Sequence, residues 1–302
     1  MSILSLRNVT KQYSNHTAVD RISFEVEKQK IFGLLGPNGA GKTSLIRIIT
    51  SITGADSGEV YIDGERLNSL HPHVIGYMPE ERGLYKKMKV GEQLLYLSQL
   101  KGLSTSEAKS KIKFWLEKFD IKDWWGKKIE ELSKGMQQKI QFIATVVHEP
   151  KLIILDEPFS GLDPINTNLI KSEIKELREK GMSIIFSTHR MEQVEEICED
   201  IVLINNGKNI LEGTVNDIKE SFKENKYRID FDGPAPDLGD YRIVDKSKNS
   251  ATIQLRPTED ANELIRYAVR TGAHIRGFNE LLPSLNEIFI KKVEGRFENT
   301  NA

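Results

Sequence analysis

Lys30-Ile31-Phe32-Gly33-Leu34-Leu35-Gly36-Pro37-Asn38-Gly39-Ala40-Gly41-Lys42-Thr43-Ser44-Leu45-Ile46 is the stretch on which the reading of the fold turns. Its first third is a short apolar run with the composition of a buried strand, and its end opens Ser44-Leu45-Ile46-Arg47-Ile48-Ile49, whose apolar spacing is helical. Between them residues 36–43 fit G-x-x-x-x-G-K-[ST], a pattern with mechanical meaning only between a strand and a helix, where it stands here. Glycines let successive backbone N–H groups converge on phosphate oxygens, and the helix N-terminus adds the positive end of its dipole. Gly36, Pro37, Asn38, Gly39, Ala40, Gly41, Lys42, Thr43 and Ser44 are therefore the candidate nucleotide-binding residues. Lys42 is placed to reach the β- and γ-phosphates, and Thr43 to put its hydroxyl on Mg2+.

Further along, Leu152-Ile153-Ile154-Leu155-Asp156-Glu157 reads as a buried strand that delivers two acids to the carboxyl edge of a sheet, the edge on which residues 36–43 also lie. Asp156 is expected to hold Mg2+ through its shell, which leaves Glu157 to orient or deprotonate an attacking water.

Working outward, the first sixty or so residues alternate strand-like pieces with turns: Ile3-Leu4-Ser5-Leu6, Ile22-Ser23-Phe24-Glu25-Val26 and Glu59-Val60-Tyr61-Ile62. From about Val90 to Gln138 the pattern is helical, and a helical subdomain is expected over about 85–138. The apolar runs Leu152 to Leu155, Ser183 to Phe186 and Ile201 to Ile204 then alternate with helices, as in a parallel sheet covered on both faces. The fold class is α/β, a P-loop nucleotide-binding domain with a β-rich N-terminal part and a helical subdomain. We place its domain at 1–218, a polar linker at 219–226, and a small α+β domain at 227–302, with strands near Tyr227–Phe231, Tyr241–Val244, Thr252–Leu255 and Ile275, two helices, and a turn at Asp232-Gly233-Pro234-Ala235-Pro236.

Composition sets the outer bounds. The 302 residues suffice for about two domains, and 38% hydrophobic with 29% charged residues gives a core beneath a charged surface. The 43 Lys and Arg nearly cancel the 44 Asp and Glu, so no global field draws the protein to nucleic acid, and none is expected as a partner. A single cysteine, Cys198, excludes an intramolecular disulfide and fits a reducing compartment; its amphipathic surroundings assign it to core packing. No apolar run approaches the length that spans a bilayer, and the amino terminus lacks a signal-peptide pattern, so a cytoplasmic location is expected.

With these motifs in place, residues 3–213 resemble the ATP-binding cassette (ABC) family. Leu132-Ser133-Lys134-Gly135-Met136-Gln137-Gln138 is similar to the signature segment peculiar to it. The resemblance implies that Ser133 and Gly135 face the nucleotide held by a second cassette, and Ser133 at a helix start offers an anion site. Asp163 in Ser160-Gly161-Leu162-Asp163 resembles the family's D-loop, His189 its switch histidine, with Nε2 as a donor to phosphate or water, and Tyr13 the aromatic that stacks on adenine. Two departures stand out. Glu80 takes the place of a glutamine and is assigned to Mg2+ or a water, and Lys134 and Met136 replace a glycine and a glutamine of the signature.

The remaining five histidines show no metal-ligand spacing and receive no role. The resemblance extends to bacterial type-2 exporter subunits that carry an appended C-terminal domain. It implies an ATPase that uses ATP and Mg2+, with Glu157, His189 and Lys42 catalytic, dimerises with a like or unlike cassette, and drives a separate polytopic membrane permease. The subunit would then sit on the inner face of the membrane, docked near Tyr85. The alternative is a soluble ABC-type ATPase acting in translation or on chromosomes, against which stand one phosphate loop and no sustained heptads.

Overall fold

The computed structural model describes residues 1–81, 83–233 and 236–293. The chain divides into two compact units, Met1–Thr214 and Val215–Ala302.

In the first unit, β1 (Ser2–Tyr13) and β2 (His16–Glu27) form an antiparallel hairpin, followed by β3 (Ile31–Leu35), α1 (Lys42–Ile49), β4 (Ser57–Ile62) and β5 (Glu65–Arg66). Strands in the order β2-β1-β4-β5 make an antiparallel sheet, and the second half of β2 alternates buried Ile22, Phe24 and Val26 with exposed neighbours because only one face meets the core.

A second, six-stranded sheet takes β3 into its interior. It adds β6 (Ile75–Met78), β7 (Leu152–Asp156), β8 (Ser183–Thr188), β9 (Asp200–Asn205) and β10 (Lys208–Thr214) in the order β10-β9-β3-β8-β7-β6. All pairings are parallel except that of β10. β3, β7 and β8 are buried along their whole length, which is why they read as unbroken apolar runs rather than alternations. One core joins Leu4, Leu6 and Phe24 of the first sheet to Leu45 and Ile49 of α1 and to Leu34 and Ile154 of the second.

Between β6 and β7 lie α2 (Val90–Leu100), α3 (Thr105–Lys118) and α4 (Lys134–Val146). Ser104 starts α3 with a capping box, its hydroxyl accepting the Glu107 N–H while the Glu107 carboxylate accepts the Ser104 N–H. Trp115, Phe119 and Phe142 pack edge to face and tilted, joining α3 to α4. The helical region therefore extends past residue 138 to Val146. Next come α5 (Pro164–Glu179) and α6 (Met191–Ile197). Cys198 is buried, and burial pushes its thiol pKa up, as expected of a packing residue.

The second unit begins with α7 (Val215–Ser221), then β11 (Lys226–Asp232), β12 (Arg242–Lys246), β13 (Ser250–Gln254), α8 (Ala261–Arg270), β14 (His274–Leu281) and α9 (Leu285–Val293). Its antiparallel sheet runs β12-β13-β11-β14 over a core of Ile229, Phe231, Ile253, Leu264 and Ala268. The division falls four residues before the one read from sequence, and 219–226 is not a plain linker. Residues 219–221 finish α7, whose Ile218 is buried and which packs on α9. Pro234 and Ala235 of the expected turn, and residues 294–302 of the expected domain, lie outside the described residues. Among the described residues no helix is long and apolar enough to cross a membrane.

Candidate active site

β3 ends at Leu35, and the chain leaves the sheet through residues 36–41 before α1 begins at Lys42. Backbone contact dictates two of the glycines. A Cβ on Gly41, at φ 106°, would lie 2.1 Å from the Ala18 carbonyl oxygen, and one on Gly36, at φ 150°, would lie 2.2 Å from that of Ile204. The loop is thus wedged between β2 and the end of β9. The Lys42 ammonium donates to the Gly36 and Pro37 carbonyls at 2.7 and 3.1 Å. Burial pulls its pKa down, and the carboxylates of Glu157, Asp156 and Glu80 act in the opposite sense.

Those carboxylates arrive from neighbouring strands. Asp156, the last residue of β7, is paired in register with Ser187 of β8, whose hydroxyl donates to Asp156 Oδ1 at 2.8 Å. Burial raises the Asp156 pKa; the Ser187 hydroxyl and Lys42 oppose that rise, while Glu80 and Glu157 add to it.

Glu157 adopts a left-handed backbone at φ 49°, a conformation that costs a non-glycine residue and recurs at functional sites. Four groups hold it there. Its own N–H donates to the Ser187 carbonyl at 2.9 Å. Thr188 Oγ1 donates to Oε2 at 3.0 Å, and the His189 N–H donates to Oε1 at 2.8 Å, with His189 Nδ1 2.6 Å from the same oxygen.

A cleft of about 400 Å3 collects Tyr13, Asn38, Gly39, Ala40, Gly41, Lys42, Thr43, Ser44, Glu80, Asp156 and Glu157 along one wall or another. Most residues singled out from sequence therefore converge, with Gly36 and Pro37 at the root of the loop and His189 attached through Glu157. Three do not. Ser133 caps α4, accepting the Met136 N–H, and Asp163 caps α5, accepting the Asn166 N–H; both are exposed outside the cleft. Gly135 lies beside them, its Cβ position 3.7 Å from the Leu162 side chain. His16, to which sequence assigns no role, lines the cleft beside Tyr13, as does Ala18. The anchoring of Asp156 by Ser187 and of Glu157 by Thr188 also went unread; the only available signal was two hydroxyl residues closing an apolar run just before His189.

The donor chemistry suits a hard cation. Among the described residues no three His, Cys, Asp or Glu side chains form a ready-made cage, but Mg2+ is usually bound by one or two carboxylates together with phosphates and water. Thr43, Asp156 and Glu80 line the same cleft and could provide that protein share.

Comparison with known proteins gives the family. A family model described as "ABC transporter" matches residues 19–160, and one described as "ATP-binding protein DrrA1-3-like, C-terminal domain" matches 213–293. YhaQ of Bacillus subtilis (strain 168), an uncharacterized ABC transporter ATP-binding protein, is 43% identical over 298 residues, 98% of this chain and 100% of its own length. The chain belongs to the ABC transporter ATP-binding family. LnrL, the linearmycin resistance ATP-binding protein of the same organism, is 37% identical over 72% of this chain and 70% of its own. Among solved structures, the ATP binding subunit of an ABC transporter superposes with a TM-score of 0.69 at 29% identity, over 73% of this chain and 93% of that one. As an ABC ATP-binding subunit the protein binds and hydrolyses ATP. Subunits of this family generally dimerise and work with a membrane permease.

Proposed function

We propose that this chain powers an exporter, closing with a second cassette, like or unlike itself, around two ATP molecules and driving a separate polytopic permease. The observation that carries the reading is the division of the chemistry. The phosphate loop, Asp156 and Glu157 meet in one cleft, while Ser133 and Asp163 stand exposed outside it with the half-buried Gly135 beside them, available to a nucleotide offered by another cassette.

In this reading the N–H groups of the loop and the start of α1 bind the phosphates, Lys42 reaches the β- and γ-phosphates, and Tyr13 stacks on adenine. Thr43, Asp156 and Glu80 would hold Mg2+, which when bound neutralises phosphate charge. Glu157 orients and deprotonates the attacking water. His189 fixes the Glu157 carboxylate and turns its other ring nitrogen toward the γ-phosphate and that water. Across the dimer, the N-terminus of α4 at Ser133 adds N–H donors to the γ-phosphate of the second site.

Export is supported by two relatives whose names carry it, a lipopolysaccharide export system ATP-binding protein and a Nod factor export ATP-binding protein, each 33% identical over more than two thirds of this chain. Permease docking on the helical region is supported by Tyr85 and Tyr96, both exposed and stacked edge to face at 6.1 Å beside exposed Lys86 and Lys87. The subunit would then sit at the cytoplasmic face of the membrane. The test is affinity purification of the tagged protein from detergent-solubilised membranes. A stoichiometric polytopic protein is the expected companion; recovery of ribosomes or DNA-bound factors instead would replace this reading with that of a soluble ABC-type ATPase.

A further inference from the structure

Gln138 and Gln141 stand three residues apart on one face of α4 and are only 2% and 4% exposed. Each donates out of its helix to a prolyl carbonyl: Gln138 Nε2 to Pro158 O at 2.9 Å, and Gln141 Nε2 to Pro79 O at 2.7 Å. Each proline adjoins a carboxylate of the cleft, Pro158 following Glu157 and Pro79 preceding Glu80. Both carbonyls lie just beyond the last ladder pairs of β6 and β7, Met78 with Leu155 and Asp156 with Ser187, where the sheet stops holding the chain. A proline has no N–H with which to anchor itself, so its carbonyl is the one backbone polar group available there.

We propose that Gln138 and Gln141 are positioning residues that make α4 the common support of Glu157 and Glu80. The carboxamides are neutral, so they set where the two carboxylates stand without adding charge to the cleft. Because α4 begins beside Ser133, a load on the exposed Ser133 and Lys134 of the signature segment reaches both carboxylates through two hydrogen bonds. The inference rests on the proposed roles of Glu80 at the metal and Glu157 at the water, and the test separates those readings from it.

Gln141→Met keeps the side-chain length and removes the donor. Two quantities are read: kcat, and the affinity for Mn2+ by electron paramagnetic resonance at a saturating non-hydrolysable ATP analogue. Affinity for the analogue in EDTA, within twofold of the parent by roughly the scatter of independent sites, certifies an intact fold. We expect Gln141→Met to weaken Mn2+ binding about tenfold, as removal of a group that orients a metal ligand does, and the loss to vanish in a Glu80→Gln background. Gln138→Met should lower kcat about tenfold with Mn2+ affinity unmoved. Additive losses in the Gln141→Met, Glu80→Gln double variant overturn the proposal, as does a silent Gln141→Met. If Glu80→Gln alone leaves Mn2+ affinity unchanged, the metal role of Glu80 fails. The positioning is then judged on kcat, a non-additive loss supporting it and an additive one overturning it.

Discussion

Nδ1 of His189 stands 2.6 Å from Oε1 of Glu157, the oxygen that also accepts the His189 backbone N–H. Nδ1 is the ring nitrogen engaged by the carboxylate, and Nε2 is the one that can face a phosphate or a water. A histidine read from sequence as a phosphate donor is thus first a partner of the carboxylate beside it.

Glu157→Gln should nearly abolish hydrolysis, by about two to four orders of magnitude for loss of a positioned base, while ATP binding persists. Single-turnover hydrolysis and ATP affinity, measured together, check this. Turnover within tenfold of the parent would mean that another group activates the water.

Ser187→Ala removes the hydroxyl that holds the buried Asp156 carboxylate against its tendency to protonate. Its loss raises the Asp156 pKa further, so more of the carboxyl is protonated at a given pH. The acid limb of the kcat/KM profile should move to higher pH, and an unmoved limb would show that Asp156 ionisation does not govern it.

Gly41→Ala places a Cβ 2.1 Å from the Ala18 carbonyl oxygen at a φ of 106°, so the loop must move. Gly39→Ala meets nothing within 4 Å and bears only the cost of a left-handed residue, about 1–2 kcal/mol. ATP affinity should fall much further in the first variant than in the second. Equal losses would mean that backbone conformation, not the contact with β2, sets the loop.

His148 is buried, and that burial, with the Lys101 charge next, lowers its pKa to about 4 from 6.5. The unfolded chain therefore binds a proton that the folded chain refuses between about pH 6.5 and 4, and folding stability declines as pH falls through that window. The penalty approaches about 3 kcal/mol at its acid end and is absent above pH 7. Denaturation of the parent and His148→Gln across this range should show a shallower acid loss in the variant; parallel curves would assign the loss to other groups.

The motifs at 36–43 and 152–157 were legible in the sequence because their signals are local: a glycine spacing, an apolar run of strand length, and charge at its end. So were the parallel sheet, whose strands are buried on both faces, and the helical insertion. What only the tertiary structure decided is who stands beside whom. Ser187 meets Asp156 across 31 residues of chain, Gln141 meets Pro79 across 62, and His16 reaches the cleft wall from a hairpin whose own pattern speaks only of strands. The start of the second unit at Val215 was hidden for the same reason, since a polar helix anchored by the single buried Ile218 reads as linker until α9 lies against it. Hydrophobic periodicity reports that a residue is buried, but strand order and register, which choose its neighbours, are settled by packing both faces of the sheet at once.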